Sequence, residues 1–130
     1  MNKENIHQLE AGRELDRLVA EKVLGWQYKL MSDGIKSDWH WVDANDKFVC
    51  ISVDDTSLPN FSANIADAWQ IVEFLIPQFD DVSVSNTHDG YNCLISPDIW
   101  KLNVYVSFGD TAPLAICRCA LLAYKERIND

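Results

Sequence analysis

The sequence is poor in basic residues: eleven Lys and Arg stand against twenty Asp and Glu, which gives a formal net charge of -9 at pH 7. An acidic surface repels a phosphate backbone, so we expect no duplex DNA or RNA as a partner. A small anionic ligand remains compatible with this charge, because a pocket can be positive beneath an acidic surface.

The sequence also lacks segments that would direct the protein into or across a membrane. Residues Met1–Gln8 are polar, without the apolar core of a signal peptide. No run approaches the roughly 18 consecutive apolar residues of a membrane span. We therefore expect a cytoplasmic protein and no membrane partner.

Histidine and cysteine are scarce, with three and four residues. All four cysteines lie inside apolar runs and none forms a C-x-x-C pair, which is typical of reduced, buried thiols in a cytosolic protein. They are Cys50, Cys93, Cys117 and Cys119. Because no carboxylate spacing faces the histidines, we expect no metal site and no cofactor.

Catalytic motifs are absent from the sequence. There is no phosphate-binding G-x-x-x-x-G-K-S/T, no G-x-S-x-G and no H-E-x-x-H. The pair His88-Asp89 superficially resembles that of a metal phosphohydrolase, but it lies in a turn-forming stretch rather than on a helix. The sequence therefore favours a binding protein over an enzyme.

The length of 130 residues, with 48% apolar and 24% charged residues, is typical of a single compact domain spanning 1–130. Apolar residues at three- and four-residue intervals predict three helices. Short β-prone runs bounded by turn residues predict five strands. The predicted helices lie near 4–24, 63–76 and 112–126, and the predicted strands near 38–43, 47–53, 81–86, 91–96 and 100–108.

This order, α-ββ-α-βββ-α, predicts an α/β fold with helices packed on an antiparallel-rich sheet. In the last strand the alternation predicts that five apolar residues face the core: Trp100, Leu102, Val104, Val106 and Phe108. We also expect Trp69 in the core and Ser62 as the N-cap of the middle helix. The last helix is apolar on nearly all sides, so it should be buried between layers.

Three blocks of sequence resemble the phage ABA sandwich domain family. The first joins Ala11–Asp16 (AGRELD) to Val19–Trp26, the second joins Phe61-Ser62 to Ile65–Trp69, and the third is Gly109–Arg118 (GDTAPLAICR). The resemblance implies a three-layer α/β/α sandwich encoded by a phage or prophage. It implies no catalytic residues, and residues 28–59 match nothing in it.

Arg118 is the only charged residue between Pro113 and Tyr124. Burying an unpaired guanidinium is very costly, so Arg118 must contact a carboxylate, a cluster of carbonyls or an anionic ligand. We favour a structural pair, for instance with an acid of the first helix, over a ligand site.

The turn Gly109–Thr111 opens the last helix, and helix starts bind phosphates readily. Asp110 opposes such binding by its charge, and ordinary capping by Thr111 or Asp110 explains the turn without a ligand.

Trp39 and Trp41 flank His40 and share one side of a short strand. Such rings can stack on a nucleotide base, or they can fill a core or a subunit interface.

These features give a leading hypothesis and two alternatives. The protein sequesters a small nucleotide-derived immune signal, with Trp39, Trp41, Asp110, Thr111 and Arg118 as binding residues. Alternatively, it binds a host protein through its acidic surface, or it hydrolyses a cyclic nucleotide signal. The surplus of large aromatic residues predicts a homo-oligomer, either a dimer or a small symmetric ring.

Overall fold

The computed structural model describes residues 3–32, 34, 37–51, 58–97 and 104–125. The strands form two antiparallel three-stranded sheets, ordered β1-β2-β3 and β4-β5-β6. Helices pack with them into the predicted α/β sandwich. In chain order the elements are α1 (Lys3–His7), α2 (Arg13–Leu18), a π-helical segment (Val19–Val23), β1 (Gln27–Ser32), β2 (Ser37–Val42), β3 (Phe48–Ile51), α3 (Ile65–Leu75), β4 (Asp81–Thr87), β5 (Gly90–Ser96), β6 (Tyr105–Gly109) and α4 (Ala112–Ala123).

The first predicted helix, 4–24, is divided into two α-helices and a π-helical segment. Gly12 separates α1 from α2 with φ +155°, a backbone conformation that other residues rarely adopt. After α2 the winding loosens, and the Leu24 N–H donates to the Val19 carbonyl five residues earlier. Gly25, with φ +76°, follows the helical stretch as a left-handed residue.

The structure pairs the strands predicted near 38–43 and 47–53 as a hairpin, and the strands predicted near 81–86, 91–96 and 100–108 as a meander. Asp43 closes the β2–β3 hairpin, because its Oδ1 accepts the N–H groups of Asn45 and Lys47. Strands β4, β5 and β6 pair in sequence. Strand β1 was not predicted, since its polar sequence QYKLMS has a weak strand signal and pairing with β2 supplies the stabilisation.

The predicted core face of the last strand is wrong. Val104 and Phe108 are exposed, whereas Ser107 is fully buried and Tyr105 packs against the core. Helix α4 covers this second face, and the Cys119 thiol donates to the Tyr105 carbonyl. Residues Trp100 and Leu102 lie outside the described residues.

Helix α3 also differs from its prediction. Asn64, not Ser62, is the N-cap, because its side-chain oxygen accepts the Asp67 N–H at 3.0 Å. Trp69 is not a core residue, since 46% of it is exposed. The helix instead buries Ala68, Ile71, Val72 and Leu75.

Helix α4 forms the centre of the molecule, as its apolar sequence predicts. It contacts all three strands of the second sheet, and it also contacts α1, α2, α3 and the π-helical segment. Nine of its twelve residues are buried, and Arg118 is its one charged residue. Residue 126, the predicted end of this helix, lies outside the described part of the chain.

Candidate functional site

The turn Gly109–Thr111 joins β6 to α4 and is fixed by capping and close packing. Thr111 is the N-cap, because its Oγ1 accepts the Leu114 N–H at 3.3 Å. A Cβ at Gly109 would lie 2.8 Å from the Ala115 nitrogen, so the packing admits no larger residue there. The helix start is therefore held in one position relative to the sheet.

The Arg118 guanidinium is held by backbone carbonyls rather than by an acid. Its Nε donates to the Leu9 carbonyl at 2.7 Å and its Nη1 to the Phe108 carbonyl at 2.8 Å. The expected acid partner from the first helix is wrong: among the described residues, no ion pair to Arg118 forms. A guanidinium has five N–H donors, so these two bonds fix its position and leave further donors available.

Arg118 provides a fixed positive charge in an acidic protein. Burial lowers the pKa of Arg118 from its ordinary value, while the charges of Asp110 and Glu10 act in the opposite direction. An arginine begins so far above neutrality that it remains a cation at pH 7.

An open pocket of about 280 Å³ lies beside Arg118. Its walls come from the β4–β5 turn, the end of β6 and the side of α4. The lining residues are Thr87, Asp89, Gly90, Tyr91, Phe108, Gly109, Asp110 and Arg118. This volume is just below the roughly 300–1,000 Å³ typical of small-molecule sites.

Two glycines bring the walls of this pocket together. Gly90 has φ +148°, and a Cβ there would lie 2.6 Å from the Gly109 carbonyl oxygen. The β4–β5 turn therefore packs directly against the turn that precedes α4. This contact sets Asp89 and Asp110 on one pocket with Arg118.

The two tryptophans of the predicted platform lie on the first sheet and do not line this pocket. Both contact Tyr28, with ring centroids 5.2 Å away for Trp39 and 5.4 Å away for Trp41. Trp41 is 1% exposed and belongs to the core, so it is closed to a ligand. Trp39 is 50% exposed, which leaves one accessible ring instead of two.

The structure thus brings together two of the five predicted site residues, Asp110 and Arg118. Thr111 adjoins them as the N-cap without lining the pocket. Sequence reasoning did not include Asp89 and Tyr91 in the site, because Asp89 was interpreted as part of a tight turn and Tyr91 as the start of a strand. The pairing of Tyr91 with Gly109 across β5 and β6 places them here, and a correct strand register was the signal that would have found them.

A second charged cluster lies around Asp16, which is 1% exposed. Its Oδ1 accepts the Ser62 N–H at 2.8 Å and the Ser62 hydroxyl at 2.7 Å, and its Oδ2 pairs with Arg13 at 3.1 Å. The Gly12 N–H donates to the Ser62 hydroxyl, and Arg13 also donates to the Leu58 carbonyl. All of these residues except Leu58 come from two of the blocks that resemble the family, and their contacts tie α2 to the segment before α3.

The buried cysteines and the other possible metal ligands show no second reactive site among the described residues. Burial raises the pKa of Cys117, and a hydrogen bond with Cys93 together with burial raises the pKa of Cys119, so both thiols stay protonated. Across the described ranges, no group of three or more His, Cys, Asp or Glu could hold a metal ion. No helix in those ranges combines the length and apolar composition needed to cross a bilayer.

Comparison with known proteins places this chain among phage proteins. The sequence profile of the Phage ABA sandwich domain matches residues 17–121. The chain is also similar to a phage protein from Bacillus cereus ATCC 14579 of known crystal structure, with 28% identity and a TM-score of 0.57 over 87% of this chain and 90% of that one. No curated protein matches it. With its profile match extending from α2 to α4, the chain belongs to the Phage ABA sandwich domain family.

Proposed function

We propose that this phage protein binds a small nucleotide-derived ligand in the Arg118 pocket and sequesters it without converting it. The observation that carries the proposal is the incompletely used guanidinium. Two carbonyls hold Arg118 in place, no acid among the described residues forms an ion pair with it, and it lines an open pocket. A pre-positioned arginine with free donors suits one phosphate group.

The other lining residues suit a ligand with few negative charges. Asp89 and Asp110 accept hydrogen bonds from ribose hydroxyls or base amino groups, and they repel a dense polyphosphate. Tyr91, 38% exposed, offers an aromatic ring to a base. We therefore favour a cyclic dinucleotide or a cyclic ADP-ribose-like molecule, with one nucleotide unit in the pocket and the remainder in solvent.

Sequestration fits this pocket better than turnover. Its described lining holds no Ser, Cys or His, so neither a Ser–His nor a Cys–His pair is available there, and any hydrolysis would have to use the Asp89 and Asp110 carboxylates as acid and base. A phage protein that retains a host nucleotide signal would act against a host defence system in the cytoplasm.

A retention experiment tests the proposal. The purified protein is incubated with cyclic dinucleotides, cyclic ADP-ribose and ADP-ribose, freed of unbound ligand and heated, and the released material is analysed by mass spectrometry. We expect intact nucleotide from the native protein, little from Arg118→Gln, and an unchanged amount from Arg17→Gln, which alters an arginine outside the pocket. Altered nucleotide would indicate a hydrolase, and no retention would favour a host protein as the partner.

We further propose that the protein forms a homo-oligomer through the exposed end of the first sheet. Leu30 and Trp39 are directly paired across β1 and β2, and both are about half exposed. Association would remove this apolar pair from water. Light scattering should give a multiple of the 14.8 kDa chain mass that falls in Trp39→Gln, whereas a single-chain mass at micromolar concentration would contradict the proposal.

A further inference from the structure

We infer that the exposed flank of α3 is a docking surface for a cationic amphipathic helix of a partner protein. The apolar face of α3 includes more residues than the core covers. Three large apolar residues at its edge stay outside the core: Ile65 at 53%, Trp69 at 46% and Ile76 at 54% exposure. We call these three residues the α3 ridge.

The α3 ridge has the spacing of a helix-packing seam. Trp69 follows Ile65 by four residues, and Ile76 follows Trp69 by seven. The buried Val72 lies between Trp69 and Ile76 on the same line of the helix. Steps of four, three and four residues place side chains in one line along a helix, as at helix–helix contacts. The line extends over roughly 16 Å at 1.5 Å per residue, which suits the apolar face of one short partner helix.

The charge around the α3 ridge determines which kind of helix fits. Helix α3 carries two acidic residues, Asp67 and Glu73, and no Lys or Arg. Exposed Glu73 lies one turn from both Trp69 and Ile76 on the helix. A partner that covers the ridge therefore meets the Glu73 carboxylate, and a Lys or Arg beside the apolar face of the partner would complement it.

The same charge argues against a second copy of this chain. If two α3 helices packed on each other, their Glu73 carboxylates would come together, and neither helix carries a Lys or Arg to balance them. Like charges across an interface oppose association. The α3 ridge is also separate from the Arg118 pocket, because no residue of α3 lines that pocket.

Two labelled peptides test this inference on the whole protein. One is a helical peptide of Leu and Lys with one apolar face, and the other is its Leu and Glu counterpart; binding is followed by fluorescence anisotropy. We expect only the Lys peptide to bind, and Trp69→Gln to weaken it about tenfold, the scale of one buried anchor residue. Glu73→Lys, an exposed change that should leave melting unaltered, should also weaken it. Phe48→Gln removes a similarly exposed aromatic residue from β3 and should change nothing.

Several results would overturn the inference. They are absence of Lys-peptide binding, equal binding of the Glu peptide, equal weakening by Phe48→Gln, and no effect of Glu73→Lys. Conversion of a native dimer into monomers by Trp69→Gln would assign the α3 ridge to a second copy. Should Trp69→Gln fail to fold, Glu73→Lys alone decides between the outcomes.

Discussion

Asp16 and Arg118 both hold charges beside the connection between α1 and α2, yet their surroundings differ. Asp16 is almost fully buried, and both of its oxygens are engaged by Ser62 and Arg13. Arg118 is part-buried, binds the Leu9 and Phe108 carbonyls, and lines an open pocket. Both oxygens of the buried Asp16 carboxylate bind groups of the protein itself, whereas Arg118 lies beside an open pocket. A charged residue in a family motif is therefore a candidate binding residue only when the protein's own groups do not already occupy its hydrogen-bonding atoms.

Replacing Asp16 should have the largest effect on stability. Asp16→Ala leaves the buried Ser62 N–H and hydroxyl without their acceptor and Arg13 without its ion-pair partner, at a cost of about 3–5 kcal/mol. Urea unfolding measures the change, and Glu14→Ala, an exposed acid on the same helix, serves as the control with an effect within about 0.5 kcal/mol. A loss below about 1 kcal/mol for Asp16→Ala would mean that the cluster does not hold α2 in place.

Arg118→Gln should destabilise the protein less than Asp16→Ala. It removes two charge-assisted hydrogen bonds, of which the one to the Phe108 carbonyl is exposed to water that can replace it, so we expect a cost of about 1.5–3 kcal/mol. The same variant should lose nucleotide retention. A stability loss equal to that of Asp16→Ala, measured in the same urea series, would make Arg118 a structural residue of the same kind.

Thr111→Ala should cost about 1 kcal/mol, because it removes the N-cap of the central helix. Thr111→Ser retains a hydroxyl and should recover most of that stability in thermal unfolding. Both variants should still retain nucleotide, since Thr111 does not line the pocket. Loss of retention in Thr111→Ser would show that the threonine methyl group matters to the ligand.

Asp110→Ala should change stability least, within about 0.5 kcal/mol, because Asp110 is exposed and, among the described residues, accepts no hydrogen bond that fixes the turn. It should nevertheless weaken nucleotide retention by removing a carboxylate from the pocket. Calorimetric melting and the retention assay on one preparation separate these effects. Unchanged retention would remove Asp110 from the binding residues.

Local signals allowed much of the fold to be predicted from the sequence. The cap at Thr111, the apolar run of α4 and the turn at Asp43 each lie within a few residues of the structure they form. The core face of β6 was not predictable in this way, because Ser107 is buried by its position against α4 and Cys93, far along the chain. Strand β1 depends similarly on pairing with β2.

The candidate site was predictable only in part, for the same reason. Arg118 and Asp110 were found because a lone charge in an apolar helix and a helix start are visible in the sequence. Asp89 and Tyr91 join them through strand register and through the contact between Gly90 and Gly109. The sequence left Trp41 open between a ligand platform and the core, because alternation along a strand does not show which residues the rest of the fold covers. The structure places it in the core.

A nuclear magnetic resonance titration of the 14.8 kDa chain with the retained nucleotide tests the central claim most directly. We predict that the amide signals of Gly90, Gly109 and Asp110 shift together, while those of Gly12 and Ser62 in the cluster around Asp16 do not shift. No shift with any nucleotide of the panel, or shifts centred on Gly12 and Ser62 or on the Trp39 indole, would contradict the account.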